Sequence, residues 1–175
     1  YNRAHGMACK EGKMTGLTLL KDHLISENLY TDEVYKKFIA FYELVQETNK
    51  VMNLTAITDE KEFQTKHFID SVLPYKNFAD AKNVADIGSG AGFPAIPLAI
   101  ILPEVNFTLV DSLQKRVNFL NNVIQTLGLE NCRAVHSRAE DFAKEGREKY
   151  DAVTARAVAA LNILLEYTAP LAKTG

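Results

Sequence analysis

Val84-Ala85-Asp86-Ile87 runs straight into Gly88-Ser89-Gly90-Ala91-Gly92-Phe93-Pro94, and an apolar segment follows. A short apolar run that ends in closely spaced glycines and passes into an apolar stretch reads as a strand, a sharp turn and a helix start. Glycine lets the backbone turn tightly and lets a ligand approach with no Cβ in the way. The first turn of the following helix offers unpaired N–H groups and a positive dipole end to a carboxylate or phosphate. The competing reading is a tight strand-to-helix turn that binds nothing.

Downstream, three more short apolar runs, Phe107 to Val110, Ala134 to Val135 and Ala152 to Thr154, alternate with helical segments. That alternation predicts an α/β fold with a doubly wound parallel sheet. In the helix after the second strand, Ser112 is the expected cap, Val117, Leu120, Ile124 and Leu127 the inner stripe, and Gly128 the left-handed terminator. Right-handed crossovers place the fourth strand beside the first, with its outer edge unpaired. An open central-type edge is a liability. Because the sequence stops soon after Ala169-Pro170-Leu171, a C-terminally truncated sheet is expected.

Upstream, Leu17, Leu20 and Leu24 recur at helical spacing. A clearer helix follows Thr31, an N-cap with Asp32 and Glu33 in its first turn; its stripe is Val34, Phe38, Phe41 and Val45, and its end is expected near Asn49. Asn53 to Thr58 holds turn and cap formers, and another helical stretch carries Phe63, His67, Phe68 and Val72. The division expected is a leader over 1–16, a helical extension over 17–82 and the ligand-binding core over 83–175. The leader opens on Tyr1 and holds Met7 and Met14 as candidate starts; it is set aside from the fold.

The 175 residues are 47% hydrophobic and 24% charged, which suits one core and not two. With 20 basic against 22 acidic residues the net charge is −2, so nucleic-acid binding has to rest on local patches. Cys9 and Cys132 are far apart and lack CxxC spacing, which argues against a disulfide framework and against a zinc site. No metal is expected. No apolar run is long enough to span a bilayer, and 1–18 lacks a signal-peptide core, so a cytoplasmic protein without a membrane partner is expected.

A nicotinamide-binding GxGxxG turn needs glycine where this sequence has Phe93; GxGxG is the methyltransferase-like variant. Asp111 closes the second strand about 20 residues past Gly88, where a carboxylate can accept both hydroxyl hydrogens of a ribose. Its competing role is to cap the next helix, and that of Phe93 is to pack in the core.

Six segments taken in order carry a resemblance: Asn53-Leu-Thr-Ala-Ile57, His67-Phe-Ile-Asp-Ser71, Asp86-Ile-Gly-Ser-Gly-Ala-Gly-Phe-Pro94, Val110-Asp-Ser-Leu-Gln-Lys-Arg-Val117, Ser137-Arg-Ala-Glu140 and Thr154-Ala-Arg-Ala-Val158. From Asn49 to Gly175 the sequence resembles the bacterial 16S rRNA N7-guanosine methyltransferases, also called the glucose-inhibited division protein B family. The resemblance implies a Rossmann-like class I fold that binds S-adenosyl-L-methionine, with further strands after the point where this sequence ends. It implies that Gly88 and Phe93 contact the cofactor beside Gly90 of the same turn, that Asp111 holds the ribose, that Ala139 and Glu140 border the adenine, and that Arg156 lines the site. It implies 16S rRNA or the small ribosomal subunit as partner, and a monomer is expected. Ala95 and Gln114 depart from the residues common in relatives.

Guanine N7 carries a lone pair that needs no deprotonation, so catalysis can come from positioning and electrostatics alone. In keeping with that, the sequence lacks the Asn-Pro-Pro-Tyr segment expected for exocyclic amines, and Cys132, read as preceding its strand, is not placed to attack a pyrimidine. Arg156 follows the fourth strand at the ligand-binding edge of the sheet and is the expected catalytic contact, gripping guanine O6 or a phosphate; the competing role is a pair with a carboxylate such as Glu140. Arg138, Lys115, Arg116 and His67 are the candidates for RNA contact, with solvated surface or structural roles as the bland alternatives. A base role for His67, with Asp70 at helical spacing, is not needed, and His136 is left uncommitted. Other readings are a methyltransferase for a protein or small molecule, a dinucleotide-binding oxidoreductase, which Phe93 counts against, and a non-catalytic RNA-binding module.

Overall fold

β-branched and apolar residues fill four short segments that pair in parallel: β1 (Asn83–Ile87), β2 (Asn106–Asp111), β3 (Cys132–His136) and β4 (Ala152–Thr154), in the order β3-β2-β1-β4. The computed structural model describes residues 16–156 and 161–174, the backbone alone for 161–164. Cys9, Met7 and Met14 of the leader, and Ala157 and Val158, lie outside the described residues. The register aligns Ile87 with Val110 and Asp111 with His136, so the carboxyl ends of β1, β2 and β3 share one rim. β4 lies beside β1, as expected, with Asp86 opposite Thr154. Just before β4, Tyr150 bridges in parallel to Ala172, and Lys173 donates its N–H to the Tyr150 carbonyl.

Alternate residues of a strand face opposite sides. Val84, Phe107 and Leu109 join the larger core under α5 (Ala95–Ile101) and α6 (Gln114–Leu127), while Ala85, Ile87 and Val110 join a smaller one with α7 (Ala139–Glu145) and Leu171. All seven residues of α5 are buried, which explains a helix with no polar face. α6 ends on Gly128 at φ +60, as read from the sequence. Its start differs: Leu113 occupies the cap position, and the Asp111 carboxylate, not Ser112, takes the Leu113 N–H. Cys132 begins β3 instead of preceding it, and burial pushes its thiol up to about 12, which keeps it inert as a nucleophile.

The helical segment before β1 packs on the same large core. α1 (Thr18–Ser26) buries Leu20 and Leu24, and α2 (Asp32–Met52) buries Phe38, Phe41 and Val45, with Thr31 accepting the Val34 N–H at its start. α2 runs three residues past Asn49, to a left-handed Asn53, because the Asn49 side chain clamps the next loop instead of ending the helix. The stretch from Phe63 to Val72 is not a plain α-helix: α3 (Glu60–Phe63) and α4 (Asp70–Val72) flank a π-helical turn over Gln64–Ile69. The wider turn brings the Gln64 amide inside, where its oxygen accepts the Leu20 N–H at 3.1 Å. Phe38, Phe41, Phe63 and Phe68 form an aromatic cluster, and Phe93 of the glycine turn joins it at ring distances of 5.2 Å to Phe41 and 5.9 Å to Phe68.

Candidate functional site

The glycine turn is fixed from below by β2: Gly88 and Ser89 both donate to the Val110 carbonyl, and Gly92 donates to the Ser89 carbonyl. All three glycines of the turn take left-handed φ, Gly88 at +70. Gly90 has φ +56, and at Gly92, with φ +94, a Cβ would sit 2.7 Å from Ile96 Cγ1. α5 begins only at Ala95, so the turn itself, and not a helix start directly after Gly88, faces the cleft.

The cleft, about 420 Å³, opens at the carboxyl ends of the strands and is lined by Gly88, Gly90 and Phe93, by Leu54, Thr55, His67 and Asp70, and by Arg116 and Arg156. At one end stands Asp111, almost fully buried. Its Oδ2 accepts the Gly90 N–H at 2.9 Å, its Oδ1 accepts the Leu113 N–H at 2.9 Å, and the Arg116 guanidinium lies 3.5 Å from Oδ2. Asp86 is fully buried at the end of β1. Its Oδ1 accepts the Thr154 hydroxyl at 2.7 Å, its Oδ2 has no partner among the described residues, and burial raises its carboxyl to about 6.

At the other end Arg156 reaches back to the helical segment. Its Nη1 donates to the Lys66 carbonyl at 3.2 Å and to Asp70 Oδ2 at 3.1 Å; its Nη2 lies 2.9 Å from His67 Nδ1; its guanidinium carbon is 5.3 Å from the Phe93 ring centre. The competing reading of Arg156, a pair with a carboxylate, is realised with Asp70 and not with Glu140; Asp70 opens α4 directly after the π-helical turn. Glu140 lies instead at the start of α7, where it raises the pKa of the Tyr167 hydroxyl on α8 (Leu161–Thr168). His67 stacks on Phe93 at 4.5 Å and 10°, and its Nε2 lies 2.8 Å from the Thr55 hydroxyl. Burial, then the Arg156 charge, lowers its pKa to about 4.

Of the residues expected from sequence, Gly88, Gly90, Phe93, His67, Arg116 and Arg156 line this one cleft, and Asp111 lies directly beneath it. Ala139 and Glu140 sit outside its lining, at the start of α7. Arg138, at the N-cap of α7, and Lys115 are exposed and also outside it. His136 bonds the Ser112 carbonyl. Thr55, Asp70, Asn49 and Asp86 were missed as site residues. Asp70 meets Arg156 across 86 residues of sequence, and Thr55 and Asn49 reach it only through His67, 89 residues away, so no local pattern signals them. A cavity of about 500 Å³ among Asn83, Asn106, Arg133 and Tyr150 lies at the opposite, amino ends of the strands. Among the described residues no group of three or more His, Cys, Asp or Glu is placed to hold a metal, and no helix is long and apolar enough to cross a membrane.

A parallel sheet in the order β3-β2-β1-β4, helices on both faces, a glycine turn after β1 and an acidic residue closing β2 define the Rossmann-like fold of the class I methyltransferases. An O-methyltransferase from Bacillus cereus, solved in complex with SAH, has this fold: its TM-score is 0.61 at 17% identity, over 90% of this chain and 69% of that one. The family model for rRNA small subunit methyltransferase G (GidB) matches residues 34–175, and this chain belongs to that family. The ribosomal RNA small subunit methyltransferase G of Macrococcus caseolyticus is 51% identical over 148 residues, 83% of this chain; that of Clostridium botulinum (strain Eklund 17B) is 46% identical over 173 residues, 97% of this chain. The chain spans 62% of the length of the first and 68% of the second.

Proposed function

We propose that this protein transfers a methyl group from S-adenosyl-L-methionine to N7 of a guanine in 16S rRNA, acting as a monomer on that RNA or on the small ribosomal subunit in the cytoplasm. The relatives' names and the family match support rRNA as the substrate class, and the cleft supports the cofactor and the choice of guanine N7. Residues 17–82 are then the helical extension and 83–175 the cofactor-binding core.

The cofactor carries a ribose diol and positive charge, and the residues present suit both. Asp111 retains acceptor capacity beside Gly90, and Asp86 has a carboxylate oxygen without a partner among the described residues. Gly88, Gly90 and Phe93 border the same space, and Ala139 and Glu140, at the rim beyond β3, are assigned to the adenine. When bound, the cofactor supplies an electrophilic methyl group on a sulfonium. The chain supplies place and field.

The observation that carries the reading is Arg156, fixed at the rim of β4 in the same cleft as the glycine turn, with no side chain among the described lining residues free to act as a base. Both nitrogens of His67 are engaged and Asp70 is ion-paired. N7 asks for no base, only for an orienting donor near O6 or a phosphate. Arg116, Lys115 and Arg138 extend a positive field for the RNA backbone outward from the cleft, with His67 at its wall.

The test is methyl transfer from labelled cofactor to small ribosomal subunits, or to their naked RNA, that lack the modification, with chain cleavage specific for N7-methylguanine as the readout. Label at one guanine, strongly reduced in Arg156→Ala, is the expected result. Label on protein or a small molecule, or RNA binding without transfer, would replace this reading by one of the two alternatives.

A further inference from the structure

The loop Asn53 to Ile57 and the π-helical turn around His67 lie far from the glycine turn in sequence, yet they meet Arg156 through an unbroken hydrogen-bonded series. It begins on α2. The Asn49 side chain grips both backbone groups of Thr55: its Oδ1 accepts the Thr55 N–H and its Nδ2 donates to the Thr55 carbonyl, each at 2.9 Å. Thr55 Oγ1 accepts the Ile57 N–H at 3.1 Å and meets His67 Nε2 at 2.8 Å; His67 Nδ1 meets Arg156 Nη2 at 2.9 Å.

Donor and acceptor roles along this series follow from the arginine. A guanidinium only donates, so His67 Nδ1 must accept and carries no proton. A neutral imidazole with a bare Nδ1 carries its proton on Nε2, which therefore donates to Thr55 Oγ1. Burial and the neighbouring Arg156 charge keep the ring from gaining a second proton. Of the five N–H donors of Arg156, Lys66, Asp70 and His67 take three, and the other two have no partner among the described residues.

We infer that Thr55 and His67 are positioning residues for the transfer proposed above: clamped by Asn49, they hold the imidazole as its Nε2–H tautomer so that Nδ1 fixes the Arg156 guanidinium toward the substrate. Asp70 balances the charge and the Lys66 carbonyl sets the plane. Phe93 supplies the stacking face that keeps the ring from rotating. The role is distinct from RNA contact, since neither ring nitrogen is left for a phosphate. The inference rests on the proposed function only for its kinetic consequence; the tautomer itself can be observed without any reaction.

The experiment is therefore in two arms. Two-bond proton–nitrogen spectra of the ¹⁵N-labelled chain should show His67 with Nε2 protonated and Nδ1 bare at neutral pH. Thr55→Val should disturb that signature and Thr55→Ser should restore it. A ring protonated on Nδ1, or one indifferent to Thr55→Val, would overturn the inference. In the second arm, His67→Asn keeps an acceptor near the Nδ1 position, while His67→Gln moves it and His67→Phe keeps only the stack on Phe93. Misplacing the guanidinium should lower kcat about 10- to 100-fold in the Gln and Phe variants, with KM for the cofactor and the melting temperature of the Phe variant little changed, and Asn should recover most of the rate. Full activity in His67→Phe would overturn the inference. If the wild-type chain transfers no methyl group while the spectra and their Thr55 dependence are as expected, the functional reading fails and the positioning of Arg156 stands.

Discussion

The two ends of the cleft are mirror images in hydrogen-bonding polarity. At Asp111 a buried acceptor is held by backbone N–H groups from Gly90 and Leu113; at Arg156 a donor is held by a carbonyl, a carboxylate and an imidazole. The first end comes from one contiguous βαβ stretch, the second from three segments brought together across the molecule. A contiguous unit places its charge with backbone groups and needs little else. The assembled end depends on side-chain contacts, so it should tolerate substitution less evenly and lose rate before it loses stability.

Removing the donor end should have the largest consequence. Arg156→Ala is expected to lower methyl transfer by about 10²- to 10³-fold while changing cofactor affinity little, as measured by steady-state kinetics beside titration calorimetry. A parallel loss of cofactor binding would merge the two ends into one. At the acceptor end the matching damage is to the fold: Gly92→Ala forces a Cβ into Ile96 at a left-handed φ, and should cost about 2 to 4 kcal/mol in denaturant unfolding.

Two buried titrating groups, Asp86 and His67, should slope in opposite directions with pH. Asp86 is raised from 3.8 to about 6 by burial, so the folded state binds its proton more tightly than the unfolded one, and stability is lost as pH rises from about 4 through 6. His67 is lowered from 6.5 to about 4, so its share is lost as pH falls from about 6.5 through 4. Asp86→Asn should remove the first slope, becoming more stable relative to wild type above pH 6 than at pH 4 by about 1 to 3 kcal/mol. His67→Phe should flatten the second. Denaturant melts across pH 4 to 8 read both, and slopes of the same sign would contradict the burial of one group. The smallest effect is expected outside the cleft: Lys115→Ala should weaken RNA binding by about threefold or less and reduce the salt slope by about one, read by binding titrations at several salt concentrations.

The contrast also explains what the sequence made legible. β1, the glycine turn and Asp111 could be read because glycine spacing, strand pattern and an acidic terminator fall within one short unit. The α2 helix was legible from its Thr31 cap and phenylalanine stripe. Its true end was not, since Asn49 looks like a terminator and serves as a clamp on Thr55. For Arg156 the sequence offers a carboxylate such as Glu140 only as a competing partner; the π-helical turn before Asp70 packs Gln64 against α1 and has no periodic signature. Ser112 looked like the better cap, but the cap position of α6 falls one residue later, on Leu113, whose N–H is taken by Asp111.

The most direct test of the central claim, that this cleft is an S-adenosyl-L-methionine site anchored at Asp111, is calorimetric titration of the chain with the cofactor, with Asp111→Ala in parallel and NAD as the control ligand. Saturable binding, weakened by about tenfold or more in the variant and absent for NAD, is the predicted result, since hydrogen bonds to a charged acceptor contribute about 1.5 to 3 kcal/mol each. Equal binding by a folded Asp111→Ala protein, or no binding by the folded wild-type chain, would contradict it.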